Sequence, residues 1–285
     1  MKEIYSGIFT GERAEFAVRD RIYRDSIFCG GESPLKHSSG IELKNSMFKW
    51  KYPLWYSRDI QVEDCAVFEM GRAGIWYTEN IRMVNTVYEA PKGFRRCTGV
   101  SLEKVDFPNA QETLWDCGGV SLRNVTAKGD YFGMNCRDVE VNGLILTGNY
   151  CFDGCRNVAV KNSKLLSKDA FWNCENVLVE DSFISGEYLA WNSEHVTFVN
   201  CVIESLQGLC FVKDLTLERC RLLNTTLAFE YSTVNADIVG SIDSVKNPAG
   251  GRISCEDIGE LIMESDRVDC SETVIEYRGV NGSEV

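Results

Sequence analysis

The chain has 285 residues, of which 44% are hydrophobic, and its formal net charge is −12. This length and composition can bury one large core. The acidic balance and the absence of any Lys/Arg run exclude the electrostatic footprint of a nucleic-acid-binding or anionic-membrane-binding protein. No stretch of about 18 apolar residues occurs that could span a membrane.

The N-terminal sequence MKEIYSGIFTGERAEF lacks the apolar core and small-residue cleavage site of a signal peptide, so we expect a cytoplasmic protein. In that compartment the thirteen cysteines are expected to be reduced thiols. No CxxC motif occurs, and the histidines are limited to His37 and His195. We therefore expect no metal site and no cofactor.

A repeat of about 19 residues organises most of the chain. The rows begin at Ile41, Ile60, Ile81, Val100, Val120, Val139, Val158, Val177, Val196, Leu215, Val234 and Ile253. Regular spacing over this many rows is typical of a solenoid, in which each row forms one structural unit stacked on the next.

The columns of the aligned rows indicate which solenoid it is. Every row start is apolar and so is the residue two places on, as in Val177 and Val179, whereas the residues between them are mostly polar. This period of two indicates a strand with one buried face. The fifth place favours residues that tolerate a left-handed bend: Asn45, Asp64, Asn85, Asn124, Asn162, Asp181, Asn200 and Asp257. A second short strand, a variable loop and a third apolar segment complete each row.

Three strands and three bends in each row predict an all-β fold, a single-domain right-handed parallel β-helix of about twelve coils. We place the coils in residues 41–270 of a single domain, residues 1–285. Open strand edges invite aggregation, so both ends need caps. Residues 1–40 are predicted as the N-terminal cap with a possible first coil, and 271–285 as a C-terminal tail or cap. A leucine-rich repeat is disfavoured because the rows lack its upstream LxxL and any amphipathic helix.

A cysteine column runs through the third segments. It contains Cys97, Cys117, Cys136, Cys155 and Cys174, with Thr78 and Ser193 extending it. Equivalent residues of stacked coils point the same way, whereas a disulfide needs converging Cβ atoms about 3.8 Å apart. Cysteine is also readily buried as a small apolar residue. We therefore predict an inert internal cysteine ladder, with reactive thiols as the alternative.

A tryptophan column lies two places before the cysteine column. It contains Trp55, Trp76, Arg95, Trp115, Met134, Asp153, Trp172, Trp191, Cys210 and Phe229. The preceding column is apolar, so alternation directs the tryptophan column outward. Arg95 and Asp153 agree with that direction because unpaired charges are rarely buried. An exposed aromatic strip would suit sugar rings, although an internal aromatic stack fits the same pattern.

The coil pattern resembles the pectate-lyase-like superfamily of right-handed parallel β-helices over roughly residues 20–270. The segments GGESPLKHSSGIELKNSMFKWKYPLWYS, GRAGIWYTENI and APKGFRRCTGV resemble an uncharacterised, mostly bacterial family of that superfamily, known only as a domain of unknown function. The resemblance implies the fold and no activity. The aspartate cluster and RxK motif of polygalacturonase-type enzymes and the calcium-binding carboxylates of pectate lyases have no counterpart here.

One patch of side chains is the candidate site. We expect Asp116, Asp153 and Arg96 to be catalytic, since carboxylates two coils apart approach the separation of about 6.5–9.5 Å used by inverting hydrolases. A surface ion pair between Arg96 and Asp116 is the structural alternative. The expected substrate-binding residues are Arg95, Trp76, Tyr77, Trp115, Asn135, Trp172, Asn173 and Trp191.

These observations predict a carbohydrate-binding or carbohydrate-active β-helix protein, acting through an outward tryptophan strip with an Arg/Asp patch. If it is an enzyme, a glycoside hydrolase or a polysaccharide lyase is expected. The alternatives are a non-catalytic protein-binding scaffold and an enzyme that uses the thiols. The expected partner is accordingly an oligosaccharide or a protein, and not a nucleic acid or a membrane.

Overall fold

Each row of the repeat forms one turn of a parallel β-solenoid in the computed structural model of the protein, which describes residues 1–278. The chain is all β with about 15 turns, and the described part contains one short 3-10 helix, Glu69–Gly71. Two compact units divide the chain, residues 1–148 and residues 149–285; we call them unit 1 and unit 2. No helix within residues 1–278 has the length and apolar character needed to cross a membrane.

Unit 1 contains fourteen strands. They are β1 (Lys2–Tyr5), β2 (Ile8–Phe9), β3 (Arg19–Arg24), β4 (Ile27–Phe28), β5 (Ser39–Lys44), β6 (Met47–Phe48), β7 (Arg58–Glu63), β8 (Ala66–Val67), β9 (Ile75–Trp76), β10 (Glu79–Tyr88), β11 (Phe94–Arg95), β12 (Thr98–Phe107), β13 (Gly118–Lys128) and β14 (Arg137–Thr147).

The described residues of unit 2 contain twelve strands. They are β15 (Arg156–Lys161), β16 (Lys164–Leu166), β17 (Glu175–Glu180), β18 (Phe183–Glu187), β19 (Glu194–Val199), β20 (Val202–Leu206), β21 (Lys213–Thr226), β22 (Thr233–Ile238), β23 (Ile242–Lys246), β24 (Gly250–Cys255), β25 (Ile258–Ile262) and β26 (Thr273–Tyr277).

The strand registers confirm the predicted rows within each unit. In unit 1 the parallel pairs join Ile41 to Ile60, Ile60 to Ile81, and Ile81 to Val100. In unit 2 the same column continues from Val158 through Val177, Val196 and Leu215 to Val234. The row starts are buried throughout, because the period of two directs them into the core.

The N-terminal 40 residues differ from the prediction of a cap with one possible coil. Strand β1 pairs with β3, and β3 with β5, in the parallel register of all later coils. Two turns therefore precede residue 41. The periodicity did not show them because Lys2 and Arg21 occupy the row-start position, where every later row has an apolar residue.

The last predicted row, starting at Ile253, is wrong by two residues. Ile253 pairs with Ala236, and the partner of Val234 is Gly251, so this coil is shorter than its neighbours. A further strand, β26, pairs with β24 and takes up part of the predicted tail. Residues 279–285 of that predicted tail lie outside the described residues.

Left-handed bends follow the first strand of the coils, as predicted from the Asn/Asp column. The residues Asn45, Asp64, Asn85, Asn124, Asn162, Asp181 and Asn200 have φ values of 46–53°. Asp257 is the exception, because it belongs to the displaced last row. Inside the first coils the rings of Phe9, Phe28 and Phe48 stack with centroids 4.7 and 4.8 Å apart, which is the spacing of adjacent strands.

Candidate ligand-binding site

The tryptophan column of unit 1 lies at the surface but is half-buried. Trp76 pairs in register with Arg95, and Arg95 with Trp115, while the preceding apolar column is buried. The indole Nε1 of Trp76 donates a hydrogen bond to the carbonyl of Lys92 at 3.0 Å, and that of Trp115 to the carbonyl of Tyr131 at 2.8 Å. The N–H group of each indole is therefore hydrogen-bonded to the backbone of the next coil.

The indoles of unit 1 stack along the direction of the coils. The rings of Trp55 and Trp76 are nearly parallel, 7° apart in angle, with centroids separated by 5.1 Å. Because the rings cover one another, ring edges rather than faces are turned to solvent. The tryptophan column of unit 1 faces outward, as predicted. However, neighbouring side chains cover most of the aromatic faces on which a sugar ring would stack.

Arg95, predicted to bind substrate, is held between two indoles. Its guanidinium carbon lies 4.7 Å from the ring centroid of Trp76 and 4.5 Å from that of Trp115, within the range of cation–π attraction. Its Nη2 also lies 3.3 Å from a carboxylate oxygen of Glu112, which Lys92 approaches from the other side at 3.2 Å. The charge of Arg95 is thus already compensated within the protein.

The position after the tryptophan column forms an exposed corner of the coils, which we call the corner ladder. In unit 1 its members are His37, Tyr56, Tyr77, Arg96, Asp116 and Asn135, all with φ values of 51–62°. Glycine is the usual residue for this left-handed conformation, so a run of functional side chains here carries a backbone cost. The left-handed corner turns each of these side chains outward.

Contacts between successive coils order the corner ladder. The ring of His37 stacks on Tyr56 at 5.2 Å, and Tyr56 stacks on Tyr77 at 4.7 Å with an angle of 4°. Arg96 donates from Nη1 to the hydroxyl of Tyr77 at 3.3 Å, and its Nε lies 3.7 Å from a carboxylate oxygen of Asp116. The ion pair considered as the structural alternative for Arg96 and Asp116 is therefore formed.

An open groove of about 480 Å³ runs beside the start of this ladder. The residues that give it chemical character are Arg19, His37, Tyr56, Arg58, Tyr77 and Glu79. Arg19 and Arg58 are exposed, and neither guanidinium has an ion pair with any of residues 1–278. The sequence did not single out these two arginines, because both occupy the polar start of a strand where a charged residue is unremarkable.

A second groove, of about 530 Å³, lies on unit 2 where the shortened coil interrupts the repeat. It is lined by Arg252 and Arg278 together with Asn235, Asp237 and Ser254. Arg252 pairs with Glu276, and Arg278 lies 2.7 Å from a carboxylate oxygen of Asp237. Both arginines of this groove are therefore neutralised by carboxylates of the same unit.

The remaining predicted site residues lie in unit 2. Trp172 and Trp191 stack with centroids 6.2 Å apart and an angle of 28°. The carboxylate of Asp153 accepts a hydrogen bond from the side chain of Asn173 at 3.1 Å, and Asn173 accepts one from Asn192 at 2.9 Å. Burial raises the pKa of Asp153, and the hydrogen bond from Asn173 opposes that rise.

Asp169 of unit 2 is a buried carboxyl that sequence reasoning missed. Its residue is 1% exposed, and its Oδ2 has no hydrogen-bond partner among the described residues. Burial raises its pKa, while the neighbouring ammonium of Lys168 and a hydrogen bond from Tyr150 act in the opposite direction. Its position in a loop written SKDA offers no periodic signal of burial.

The structure therefore brings the predicted site residues together in two groups. Unit 1 contains Trp76, Tyr77, Arg95, Arg96, Trp115, Asp116 and Asn135, and unit 2 contains Asp153, Trp172, Asn173 and Trp191. The proposed catalytic partnership of Asp116 with Asp153 joins residues of different units and stays a prediction. Within residues 1–278 no cluster of three or more potential metal ligands occurs.

The cysteine column is buried within both units. Cys97, Cys117 and Cys174 are at most 3% exposed, and the thiol of Cys97 donates to the carbonyl of Ile75 at 3.1 Å. Burial raises the pKa of Cys97 and of Cys174 well above the ordinary value. A raised pKa lowers the fraction of nucleophilic thiolate, which favours the inert assignment over the reactive one; the assignment itself stays a prediction.

The architecture defines the class of protein as a parallel β-solenoid with an ordered ladder of polar and aromatic side chains at one corner. The chain belongs to a family described as a protein of unknown function, DUF3737, whose model matches residues 2–276. This match confirms the predicted membership of a family without an assigned function. The wider pectate-lyase-like relationship stays a prediction. No curated protein matches the chain.

Several solved structures are distantly similar to this chain. The A-module of the Azotobacter vinelandii mannuronan C-5 epimerase AlgE4 is 11% identical, with a TM-score of 0.28 over 97% of this chain and 88% of that one. A double mutant of the periplasmic alginate epimerase AlgG is 8% identical, with a TM-score of 0.32 over 98% and 76%. PfbA, a surface adhesin of Streptococcus pneumoniae, is 9% identical, with a TM-score of 0.27 over 91% and 75%.

Proposed function

We propose that the protein binds an oligosaccharide along the corner ladder of unit 1. The observation that carries this proposal is an ordered row of hydrogen-bonding groups. It runs from Tyr56 and the partly exposed Tyr77 through Arg96 and Asp116 to Asn135. Hydroxyl, guanidinium, carboxylate and amide groups are the donors and acceptors that sugar hydroxyls need.

The spacing of the ladder supports an extended ligand. Successive coils lie about 4.8 Å apart, which is close to the length of one pyranose unit in an extended polysaccharide. A chain lying along the corner would therefore place one sugar ring beside each coil. Discrete hydrogen-bonding groups at a constant interval fit a repeating polymer better than a compact ligand.

The mode of contact differs from the aromatic strip expected from the sequence. Since the rings of Tyr56 and Tyr77 cover one another, the ligand would meet their edges and hydroxyl groups rather than their faces. The stacked rings and the left-handed backbone hold these groups in place before binding. Such preorganisation reduces the entropy that is lost when a ligand is bound.

A catalytic role for Asp116, Asp153 and Arg96 is the further part of this proposal. Burial shifts the pKa of Asp153 upward, which is the direction required of a carboxyl that acts as a general acid near neutral pH. An activity of the glycoside hydrolase or polysaccharide lyase type would therefore be reduced in Asp153→Asn. Turnover that is unchanged in this variant would remove the catalytic part and leave the binding proposal in place.

Binding to a glycan array, followed by calorimetry with the best ligand, tests the proposal. We expect Tyr77→Ala and Arg96→Ala each to lower affinity about tenfold, since a hydrogen bond to a charged group contributes about 1.5–3 kcal/mol. Asn192→Ala removes a side chain from the equivalent corner position of unit 2 and is the matched control, with affinity unchanged.

Two results would contradict oligosaccharide binding at the corner ladder. One is the absence of any glycan ligand for the wild-type protein. The other is an equal loss of affinity in the control Asn192→Ala. Capture of a protein partner that is lost in Tyr77→Ala, without any glycan ligand, would instead establish the protein-binding scaffold as the function of this surface.

A further inference from the structure

The groove beside the corner ladder of unit 1 contains two arginines in one column. Strand pairing places Arg19 beside Ser39, Ser39 beside Arg58, and Arg58 beside Glu79 in successive coils. Arg19 and Arg58 are thus two coils apart, a separation of about 10 Å, with the small side chain of Ser39 between them. All three residues line the groove.

Arg19 and Arg58 have no carboxylate partner among the described residues, whereas several other arginines of unit 1 do. Arg24 pairs with Glu3, Arg82 with Glu103, and Arg95 with Glu112. Arg19 and Arg58 form no such pair with any residue in the described part of the chain, although the protein carries a net charge of −12. Two guanidiniums without ion pairs line this groove, against one carboxylate, that of Glu79, and this excess of positive charge favours an anion.

The first members of the corner ladder, His37, Tyr56 and Tyr77, also line the groove. The hydroxyls of Ser38 and Ser57 are directed inward to the carbonyl of Leu35, at 2.5 and 2.9 Å, so they are not available to a ligand. The polar and aromatic groups that remain are those of Arg19, His37, Ser39, Tyr56, Arg58, Tyr77 and Glu79.

Glu79 makes the part of the groove beside it unfavourable for an anion. It lies one coil beyond Arg58 in the same column and lines the groove. Its carboxylate would repel an anion placed beside it, so the favourable position lies between Arg19 and Arg58, over Ser39. Tyr56 and Tyr77 belong both to the groove and to the corner ladder. An anionic group bound in the groove could therefore be a substituent of an oligosaccharide that lies along the ladder.

We propose that this groove recognises an oxyanion substituent of the bound oligosaccharide, a carboxylate or a sulfate ester, through Arg19 and Arg58. The inference rests on the proposed function and specifies its ligand as an acidic oligosaccharide. A guanidinium presents parallel N–H donors that match both oxyanions in the same geometry. The carboxylate and the sulfate ester share this chemistry, and the experiment below distinguishes between them.

Calorimetry with matched ligand pairs tests the inference. The carboxylate arm uses hexagalacturonate and its fully methyl-esterified form, which keeps the sugar chain and removes the charge. The sulfate arm uses a sulfated galactan hexasaccharide and its desulfated form. The wild-type protein should prefer the charged member of at least one pair by about tenfold or more, and the preference should decrease as salt is added.

Substitution of the arginines then assigns that preference to the groove. In Arg58→Gln and Arg19→Gln we expect the affinity for the charged ligand to fall to that for its uncharged partner, with the uncharged affinity unchanged within about twofold. Both side chains are exposed, so these substitutions should leave the fold intact. Arg252→Gln, in the groove of unit 2, is the matched control and should retain the full preference.

Each other result would overturn the inference. If the wild-type protein binds both members of each pair equally, or if both arginine variants keep the preference, the groove does not recognise an oxyanion, and the proposed function still stands. An equal loss for charged and uncharged ligands in Arg58→Gln would show that the arginine holds the sugar itself. If no oligosaccharide binds to the wild-type protein, the proposed function fails and the inference fails with it.

Discussion

Two grooves of similar size lie on the two units, and they differ in whether their arginines are paired with carboxylates. The groove of unit 1 has a volume of about 480 Å³ and contains Arg19 and Arg58 without carboxylate partners. The groove of unit 2 has a volume of about 530 Å³, and its Arg252 and Arg278 are paired with carboxylates. Size and arginine content are therefore similar in the two grooves, and the pairing of the arginines is what differs.

The corner positions of the two units show a related difference. In unit 1 the corner positions of successive coils hold two stacked tyrosines and then the ion pair of Arg96 and Asp116. In unit 2 the same position holds an amide ladder, in which Asn192 donates to Asn173. Both runs have the same left-handed backbone. The repeat therefore supplies a common backbone, and the two units differ in the side chains at this corner.

The tryptophan columns provide the largest expected difference between the units. Trp76 contacts an indole on one side and the guanidinium of Arg95 on the other, whereas Trp172 stacks more loosely on Trp191. We expect Trp76→Ala to lower the free energy of unfolding by about 3 kcal/mol and Trp172→Ala by about 2 kcal/mol. Urea denaturation followed by circular dichroism measures both values.

The control for this comparison is Trp50→Ala. Trp50 lies outside the tryptophan column, and its ring contacts the ammonium of Lys51, so we expect a loss of about 1 kcal/mol or less. An equal or larger loss in Trp172→Ala than in Trp76→Ala would show that the stacked guanidinium adds nothing to stability, and the contrast between the columns would disappear.

Thiol reactivity should be similar in the two units rather than different. Cys29 of unit 1 and Cys270 of unit 2 are partly exposed, whereas Cys97 and Cys174 are buried. Burial raises the pKa of Cys65 to about 11 and that of Cys210 to about 12, so little thiolate is present at neutral pH.

A bulky maleimide should therefore label Cys29 and Cys270 first in the folded protein, at least about tenfold faster than the buried thiols. Peptide mapping by mass spectrometry locates the label, and all thirteen cysteines should react after denaturation. Labelling of Cys97 or Cys174 in the folded protein at the rate of Cys29 would reject the inert cysteine ladder.

The smallest expected effect concerns His195 of unit 2. Its Nδ1 lies 2.8 Å from a carboxylate oxygen of Asp214, and this hydrogen bond raises the pKa of the imidazole above its ordinary value. Because the folded-state pKa is raised, the stabilisation is complete below the ordinary histidine pKa and is lost as the pH rises through the raised one. The pair is exposed, so salt should weaken it.

A titration followed by NMR should show the pKa of His195 above that of a model peptide and its return toward that value in Asp214→Asn. The signal of His37, in unit 1, is the internal control and should have the same chemical shift in both proteins at any one pH. A pKa of His195 that is unaffected by Asp214→Asn would show that the ion pair is not maintained in solution.

The predicted rows were accurate where local sequence carries the signal. An apolar residue at every second position, followed by Asn or Asp, describes a strand and its bend without reference to any other coil, so rows from Ile41 to Val234 were assigned correctly. The prediction was wrong at Ile253, where a coil of different length shifts the register. It expected one possible coil before residue 41 where two occur, because charged side chains replace the apolar row starts there.

The candidate site was predicted only in part for a different reason. The columns placed Arg95 and Arg96 beside the tryptophans correctly, but they contained no information on whether a guanidinium faces solvent or lies between two rings. Arg95 lies between Trp76 and Trp115, so a residue expected to meet a ligand instead contributes to the stack. Arg19 and Arg58 were not predicted, because no sequence motif shows that a guanidinium will lack an ion-pair partner in the fold.

By itself the sequence determined the repeat, the buried faces of the strands and the positions of most bends, because each depends on side chains within one coil. The tertiary structure alone decided which rings cover one another, which charges are neutralised and which groove keeps two free guanidiniums. Those properties depend on distances between coils, and residues about 19 positions apart become neighbours only after the chain has coiled on itself.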